Sequence, residues 1–483
     1  WWLEFRRVLF RSNRHMSYKF AIESAKVLAT YGIKSYIFES LRPTPELSFA
    51  VRYLKCAGGI MITASHNPKE HNGYKVYDDT GCQLLPEAAD QVVQYVNEVE
   101  DELNIKVFSD EEAYPYMTWI GEEVDEAYYK EVMAIEVNPG MDKSDFKIVF
   151  SPQHGTSNIA VRTCLTRLGY DLVPVLAQCA PDPDFSNTKS PNPEVPASYE
   201  LAIKKAKEVD ADVVVITDPD GDRLGVVAKH NGEYVLMSGN QSAAVYLEYI
   251  LSQMKEKGTL PDNAVMYNTI VTSDLGELVA RSYGVDVEKT LTGFKFIGDK
   301  IRKYEQTHEK TFVFGYEESY GCVIKDFVRD KDAVQAVLTA AEAGNFYKKQ
   351  GKDLVDVLNE LYAKHGTFKE TQIALSKAGA AGAARIKEIM DNLRKDAPQD
   401  IGGVKVVKVE DYGNSTCSDG TTIQLPKSNV LKYYLEDGSW IAARPSGTEP
   451  KCKFYFSIKG SDANDAASKT EVFHKAMMEI IGE

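Results

Sequence analysis

FAIESAKVLATYGIKSYIFES, residues 20–40, decides the fold. Its first half places apolar residues at helical spacing, Gly32 suits a helix C-terminus, and the second half is a strand rich in β-branched residues. The same helix–Gly–strand grammar returns in IAVRTCLTRLGYDLVPVLA (residues 159–177) and LGELVARSYGVDVEKT (residues 275–290). The three glycines, Gly32, Gly169 and Gly284, stand 137 and 115 residues apart. Strand–loop units, FKIVFSPQHGTSN and NAVMYNTIVTSD, precede the second and third copies. The pattern predicts three related α/β domains with mainly parallel mixed sheets.

The first copy has only Val8-Leu9-Phe10 before the loop Ser12-Asn13-Arg14-His15, so its opening strand is expected to be short or substituted. WWLEFRRVLFRS lacks an initiating Met and reads as a foreign or truncated start, leaving the first domain's N-terminus truncated or replaced. NPGMDKSD (from Asn138) and GTLPDN (from Gly258) read as linkers. Residues 376–400 are helical and Ala-rich. Beyond them VKVVKVEDY, KYYLEDG, SWIAARP and KCKFYFSIKG alternate as strands before a last helix, which predicts a smaller C-terminal α+β domain. The expected domains are residues 1–137, 145–257, 263–375 and 400–483.

A chain of 483 residues is too long for one core. A net charge of −15 argues against a nucleic-acid partner, which would need a basic face. No apolar run approaches the ~20 residues of a membrane span, so no membrane helix is expected. The seven cysteines are scattered and never spaced as CxxC, which suits a reducing, cytoplasmic setting and neither a disulfide framework nor a zinc site. There is no signal-peptide pattern at the start.

Four loops carry the chemistry. In GGIMITASHNPKEHNGYK (residues 58–75) a short buried strand ends at Ile62 and Ser65 follows beside small Ala64. Ser65 is free to meet a reactant, with His66 and Lys75 near enough in sequence to handle protons or charge. In ADVVVITDPDGDRLGVVA (residues 211–228) Asp218, Asp220 and Asp222 alternate on a loop after a buried strand, and three such carboxylates repel unless a hard cation holds them. The loop is no EF-hand: Pro219 sits inside it and the twelfth position from Asp218 is Lys229, not Glu. Mg²⁺ suits few protein oxygens plus a phosphate oxygen better than Ca²⁺ does, and Arg223 adds a fixed cation.

FVFGYEESYG (from Phe312) offers Glu317 and Glu318 as acceptors for polyol hydroxyls, and LTGFKFIGDK brings Thr292, Gly293 and Lys295. AARPSGTEPKCKF places Arg444, Ser446, Gly447, Thr448 and Lys451 between two strands, a plausible phosphate cradle that is not a P-loop. Each alone also reads as an ordinary surface turn. Together they suggest a nucleophile, a metal site, polyol recognition and anion capture.

TASHNP, DPDGDR, GYEES and RPSGTEPK, in this order, resemble the four signature loops of the α-D-phosphohexomutase family over essentially the whole chain after residue 13. The resemblance implies three related α/β domains plus a fourth of different fold. It implies that Ser65 carries the phosphoryl group and that Asp218, Asp220 and Asp222 bind Mg²⁺ with that phosphoserine. It further implies that Glu317 and Ser319 contact sugar hydroxyls and that Arg444, Ser446, Gly447 and Thr448 hold the substrate phosphate. Lys75 matches a general acid or base, and His66 is the weaker candidate. GYEES is closer to the phosphoglucomutase form than to the GEMS form of dual glucose/mannose enzymes. The expected reaction interconverts glucose 1-phosphate and glucose 6-phosphate through glucose 1,6-bisphosphate. Mannose or pentose phosphates, or a catalytically silent sugar-phosphate-binding protein, are the alternatives.

Overall fold

The computed structural model describes residues 14–447 and 450–483, and the backbone of residues 6–11. The chain forms two compact units. One holds the chain up to Asn268 with Ala280–Glu288 and Gly293–Val357; the other holds Thr269–Val279, Lys289–Thr292 and Leu358–Glu483. No helix among the described residues is long and apolar enough to cross a membrane.

The first sheet contains β1 (Arg6–Arg11), β2 (Lys34–Phe38), β3 (Gly58–Ile62), β4 (Tyr74–Tyr77) and β5 (Met117–Ile120), in the order β4-β3-β1-β2-β5. β1, expected to be short, is six residues long and sits at the sheet's centre, parallel to both β2 and β3. Only β4 runs antiparallel, against β3. The second sheet contains β6 (Lys147–Ser151), β7 (Asp171–Pro174), β8 (Val213–Thr217), β9 (Leu224–His230) and β10 (Glu233–Met237), in the order β10-β9-β8-β6-β7. The third contains β11 (Ala264–Thr269), β12 (Asp286–Thr290), β13 (Thr311–Tyr316) and β14 (Cys322–Val323), in the order β12-β11-β13-β14.

These three sheets share one plan. β4-β3-β1-β2, β9-β8-β6-β7 and β14-β13-β11-β12 are the same four-strand order with the outer strand antiparallel to its neighbour. The three repeat glycines end their helices with positive φ, 72°, 87° and 79°, a backbone state that costs glycine nothing. β8 shows why the sequence folds this way: five successive β-branched residues, Val-Val-Val-Ile-Thr, are all buried, as a strand covered on both faces requires. Val149, Val214, Ile216 and Val227 of this sheet share a core with Ala202 and Ala206 of the helix Glu200–Val209.

The C-terminal sheet contains β15 (Thr367–Ser376), β16 (Asp400–Ile401), β17 (Val404–Asp411), β18 (Thr416–Cys417), β19 (Leu431–Leu435), β20 (Trp440–Pro445) and β21 (Lys451–Gly460). Its order is β15-β21-β20-β19-β17-β16, with β18 paired to β17. Two segments belong to it that the sequence reading placed elsewhere. Thr367–Ser376, expected to end the third domain, pairs with β21 along all ten residues. The Ala-rich helix Gly379–Lys395 gives Ile386, Ile389, Met390 and Leu393 to the C-terminal core with Phe473 and Met477 of the last helix. Composition concealed the strand, because β15 mostly alternates half-buried and exposed residues and its polar first half gives no strand signal.

Ile216 is fully buried two residues before the Asp loop. Ile216→Ala should lower unfolding free energy by about 2–5 kcal/mol, with Ile216→Val costing about 0.5–1.5, read from urea midpoints at constant slope. Equal midpoints for parent and Ile216→Ala would contradict the packing described.

Candidate active site

Ser65, Asp218 and Glu317 leave the C-terminal ends of β3, β8 and β13, the equivalent strand of each α/β domain. Ligands of such sheets bind beyond those ends.

Ser65 has φ 51°, a left-handed state for a residue with a Cβ. Its N–H donates to Thr63 Oγ1 at 2.9 Å, and its hydroxyl donates to Asp218 Oδ2 at 2.7 Å. His66 Nδ1 lies 3.1 Å from the same hydroxyl. Ser65 of the first domain thus meets the Asp loop of the second.

On that loop Asp218 Oδ1 accepts the N–H groups of Asp222 (3.1 Å) and Arg223 (3.0 Å), folding the chain around its first carboxylate. Asp218, Asp220 and Asp222 are all buried, with one oxygen of each within 4.8 Å of the others. Lys75 on β4 lies 3.1 Å from Asp220 and 3.8 Å from Asp222. Lys331, from the third domain, lies 3.0 Å from Asp222. Thr44, at the start of the helix Thr44–Tyr53, donates its N–H to the Asp220 carbonyl at 2.8 Å. Arg223 is turned aside to Glu194 (2.9 Å) and stays near Asp222 (3.9 Å).

The charges respond to this crowding. Burial, then the neighbouring Asp220 and Asp222, push the Asp218 carboxyl well above the usual range. Burial opposes ionisation of Asp220 too, but Lys75 and Lys331 outweigh it and hold its carboxylate charged. Burial opposes the charge of both lysines, but Asp220 and Asp222 hold Lys75, and Asp222 and Asp330 hold Lys331, as ammonium ions. His66 goes the other way: burial first, then Arg223, lower it to about 3, so its ring is neutral.

The residues fit a hard divalent cation. Among the described residues, Asp220 Oδ1 and Asp222 Oδ1 are buried oxygens with no hydrogen-bond partner, which costs free energy unless a donor or a cation meets them. Three carboxylates beside a hydroxyl are an all-oxygen donor set suited to Mg²⁺, which keeps open positions for phosphate oxygens.

The third-domain loops meet each other: Glu317 Oε1 accepts the Gly293 N–H at 2.8 Å. The Leu224 N–H donates to the Tyr320 carbonyl at 2.9 Å and ties the Asp loop to the Glu317 loop. Ser319 is half-buried on the same turn. Lys295 starts the helix Phe294–Thr307, and burial lowers its ammonium below the usual range. Thr292, Arg444, Ser446 and Gly447 belong to the second unit. There the Ser446 N–H donates to the Lys451 carbonyl at 2.7 Å, closing the turn between β20 and β21, and Arg444 donates to Tyr455 at 3.4 Å. Thr448 lies outside the described residues.

Sequence reasoning missed Lys331, Asp330, Thr44 and Arg14. Arg329-Asp330-Lys331-Asp332 is a charged run between strand and helix, and its full burial apart from Lys331 is the signal that composition could not supply. Asp330 accepts the Tyr77 hydroxyl at 2.7 Å, joining first and third domains.

The sequence matches the phosphoglucomutase/phosphomannomutase family along its length: alpha/beta/alpha domain I at residues 8–103, domain II at 126–232, domain III at 238–365 and the C-terminal domain at 380–475. A phosphoglucomutase of Staphylococcus epidermidis is 39% identical over 459 residues, spanning 93% of this chain and 82% of that protein. The open form of parafusin, a phosphoglucomutase of Paramecium, is similar in structure with a TM-score of 0.73 at 20% identity, covering 100% of this chain and 89% of that one. An N-acetylphosphoglucosamine mutase of Aspergillus fumigatus, solved with GlcNAc-6P and magnesium, has a TM-score of 0.55 at 14% identity, covering 95% of this chain and 93% of that one.

His66 has an ordinary value of about 6.5 in the unfolded chain and about 3 in the fold. The unfolded chain therefore takes up its proton first, and the stability associated with neutral His66 is lost as pH falls from about 6.5 towards 3. His66→Gln should flatten that part of the curve of Tm against pH; a curve parallel to the parent's would contradict the assignment.

Proposed function

The chain belongs to the phosphoglucomutase/phosphomannomutase family, and from that premise we propose that it interconverts glucose 1-phosphate and glucose 6-phosphate, with Ser65 as the phosphoryl carrier. It is a phosphohexomutase, an intramolecular phosphotransferase acting on sugar phosphates. The observation that carries the site assignment is the 2.7 Å hydrogen bond from Ser65 to Asp218, which joins the nucleophile to the buried carboxylates.

In this reading phosphorylated Ser65 gives its phosphoryl group to the free hydroxyl of a sugar monophosphate. The bond from phosphorus to Ser65 Oγ breaks as the bond to the sugar oxygen forms, and the proton lost by that sugar hydroxyl balances the proton taken up by Ser65 Oγ, giving glucose 1,6-bisphosphate. The bisphosphate turns over and returns its other phosphoryl group to Ser65. Such transfer is mainly positioning and charge stabilisation, which suits a site of fixed lysines and carboxylates. Lys75, held as an ammonium by Asp220 and Asp222, is assigned as the proton donor for the Ser65 oxygen as the phosphoryl group departs. Neutral His66 steers the hydroxyl of the dephosphorylated state. Glu317 and Ser319 read sugar hydroxyls, with Thr292, Gly293 and Lys295 as further substrate contacts. Arg223 adds a cation, and Arg444, Ser446, Gly447 and Thr448 capture the substrate's non-transferring phosphate. Asp218, Asp220, Asp222 and the Ser65 phosphate would hold Mg²⁺, which supplies charge neutralisation at the transferring group.

A coupled assay with Mg²⁺ and a trace of glucose 1,6-bisphosphate should show isomerisation, fastest with glucose 1-phosphate among the glucose, mannose and ribose 1-phosphates. EDTA should abolish it, and Ser65→Ala and Asp220→Asn should each lower kcat by on the order of a thousandfold or more. No turnover of any of the three sugars, or full activity in Ser65→Ala, would overturn the reading.

A further inference from the structure

Arg14 belongs to none of the four loops, yet its side chain is buried directly behind one of them, only 3% exposed. Its guanidinium donates to the Ser65 carbonyl and, at 2.9 Å, to the Pro68 carbonyl, with the Ala64 carbonyl at 3.5 Å. Three carbonyls of one five-residue turn converge on a single planar donor. Above the same guanidinium lies the ring of Phe185, from the second domain, 4.8 Å from Cζ. Phe185 is buried and sits at φ 53°, in a turn closed by its own N–H to the Asp182 carbonyl. Beside this stack Lys69 pairs with Asp184 at 3.0 Å, a second tie between the loop and the same turn.

Ser65 needs such restraint. A non-glycine residue at φ 51° persists only when its surroundings over-determine it. On the front of the loop, the Thr63 and Asp218 bonds fix the Ser65 N–H and hydroxyl. The Ser65 carbonyl is fixed from behind, by Arg14. We propose that Arg14 is a positioning residue for Ser65: it clamps the loop's carbonyls so that the hydroxyl stays aimed at the Asp loop, and Phe185 holds the clamp in its plane. For its kinetic consequence the proposal rests on the mutase reading. Lysine cannot replace the clamp, because a point donor cannot span carbonyls arranged for a planar fork.

The test measures kcat and KM for glucose 1-phosphate, with hydrogen exchange of the peptide spanning residues 63–68, in the parent, Arg14→Lys, Arg14→Gln and Phe185→Leu. Both Arg14 variants should lose about thirtyfold or more in kcat while KM moves less than about threefold, as displacement of a reacting atom implies. Exchange in the loop peptide should rise about tenfold and peptides of the second unit should keep their parent rates. Phe185→Leu should show the same pattern weakened, about three- to tenfold in kcat, and it decides the matter if the Arg14 variants do not fold. Parent-like kcat and loop exchange in Arg14→Lys would overturn the proposal, as would a loss carried by KM alone. If the parent turns over no sugar phosphate, the mutase reading fails and loop exchange decides this proposal by itself.

Discussion

Three carboxylates buried within five residues cannot all remain charged unless cations surround them, and the first unit is built around that constraint. Removing an ion from water costs several kcal/mol even after relaxation, and one opposite charge at 4 Å returns about 4 kcal/mol where the effective dielectric constant is near 20. A carboxylate that stays charged therefore needs a cation beside it; Asp218, with burial and two like charges against it, is pushed towards its neutral form instead. The fold brings Lys75 from the first domain, Arg223 from the loop itself and Lys331 from the third domain. Among the described residues, one oxygen each on Asp220 and Asp222 is left without a hydrogen-bond partner. The electrostatics that a phosphoryl group needs are thus the same forces that hold three domains against one loop.

The repeat explains how those parts arrive together. Each α/β domain sends one of these loops from the same position in the same strand order, so three copies of one design present three different sets of side chains. A hydroxyl follows β3, carboxylates follow β8 and a glutamate follows β13. The glycine that ends each repeat helix is the sequence mark of this shared plan.

Much of this was legible in the residues. The helix–Gly–strand grammar predicted the three sheets, and the alternation of Asp218, Asp220 and Asp222 after an apolar strand marked the loop on which three buried carboxylates gather. What escaped was whatever depends on distant pairing. β15 joins a strand some 75 residues further on, and its alternating, half-exposed side chains do not name their sheet. Lys331 sits in a charged run that resembles solvated surface until burial is known. Arg14 contacts backbone carbonyls, which every sequence possesses, so nothing in the residue types announces it. His66 was visible as a neighbour of Ser65, but its neutrality comes from burial and Arg223, contributed by another domain.

Everything proposed for the reaction turns on Ser65 being a reversible phosphoryl carrier within the carboxylate site. The most direct measurement is intact-mass and peptide-mapping analysis of the protein after exposure to glucose 1,6-bisphosphate with Mg²⁺, then after addition of excess glucose 1-phosphate. One phosphate is expected, on Ser65, and the sugar monophosphate should discharge it. A phosphate on any other residue, or one on Ser65 that the sugar phosphate cannot remove, would contradict that role.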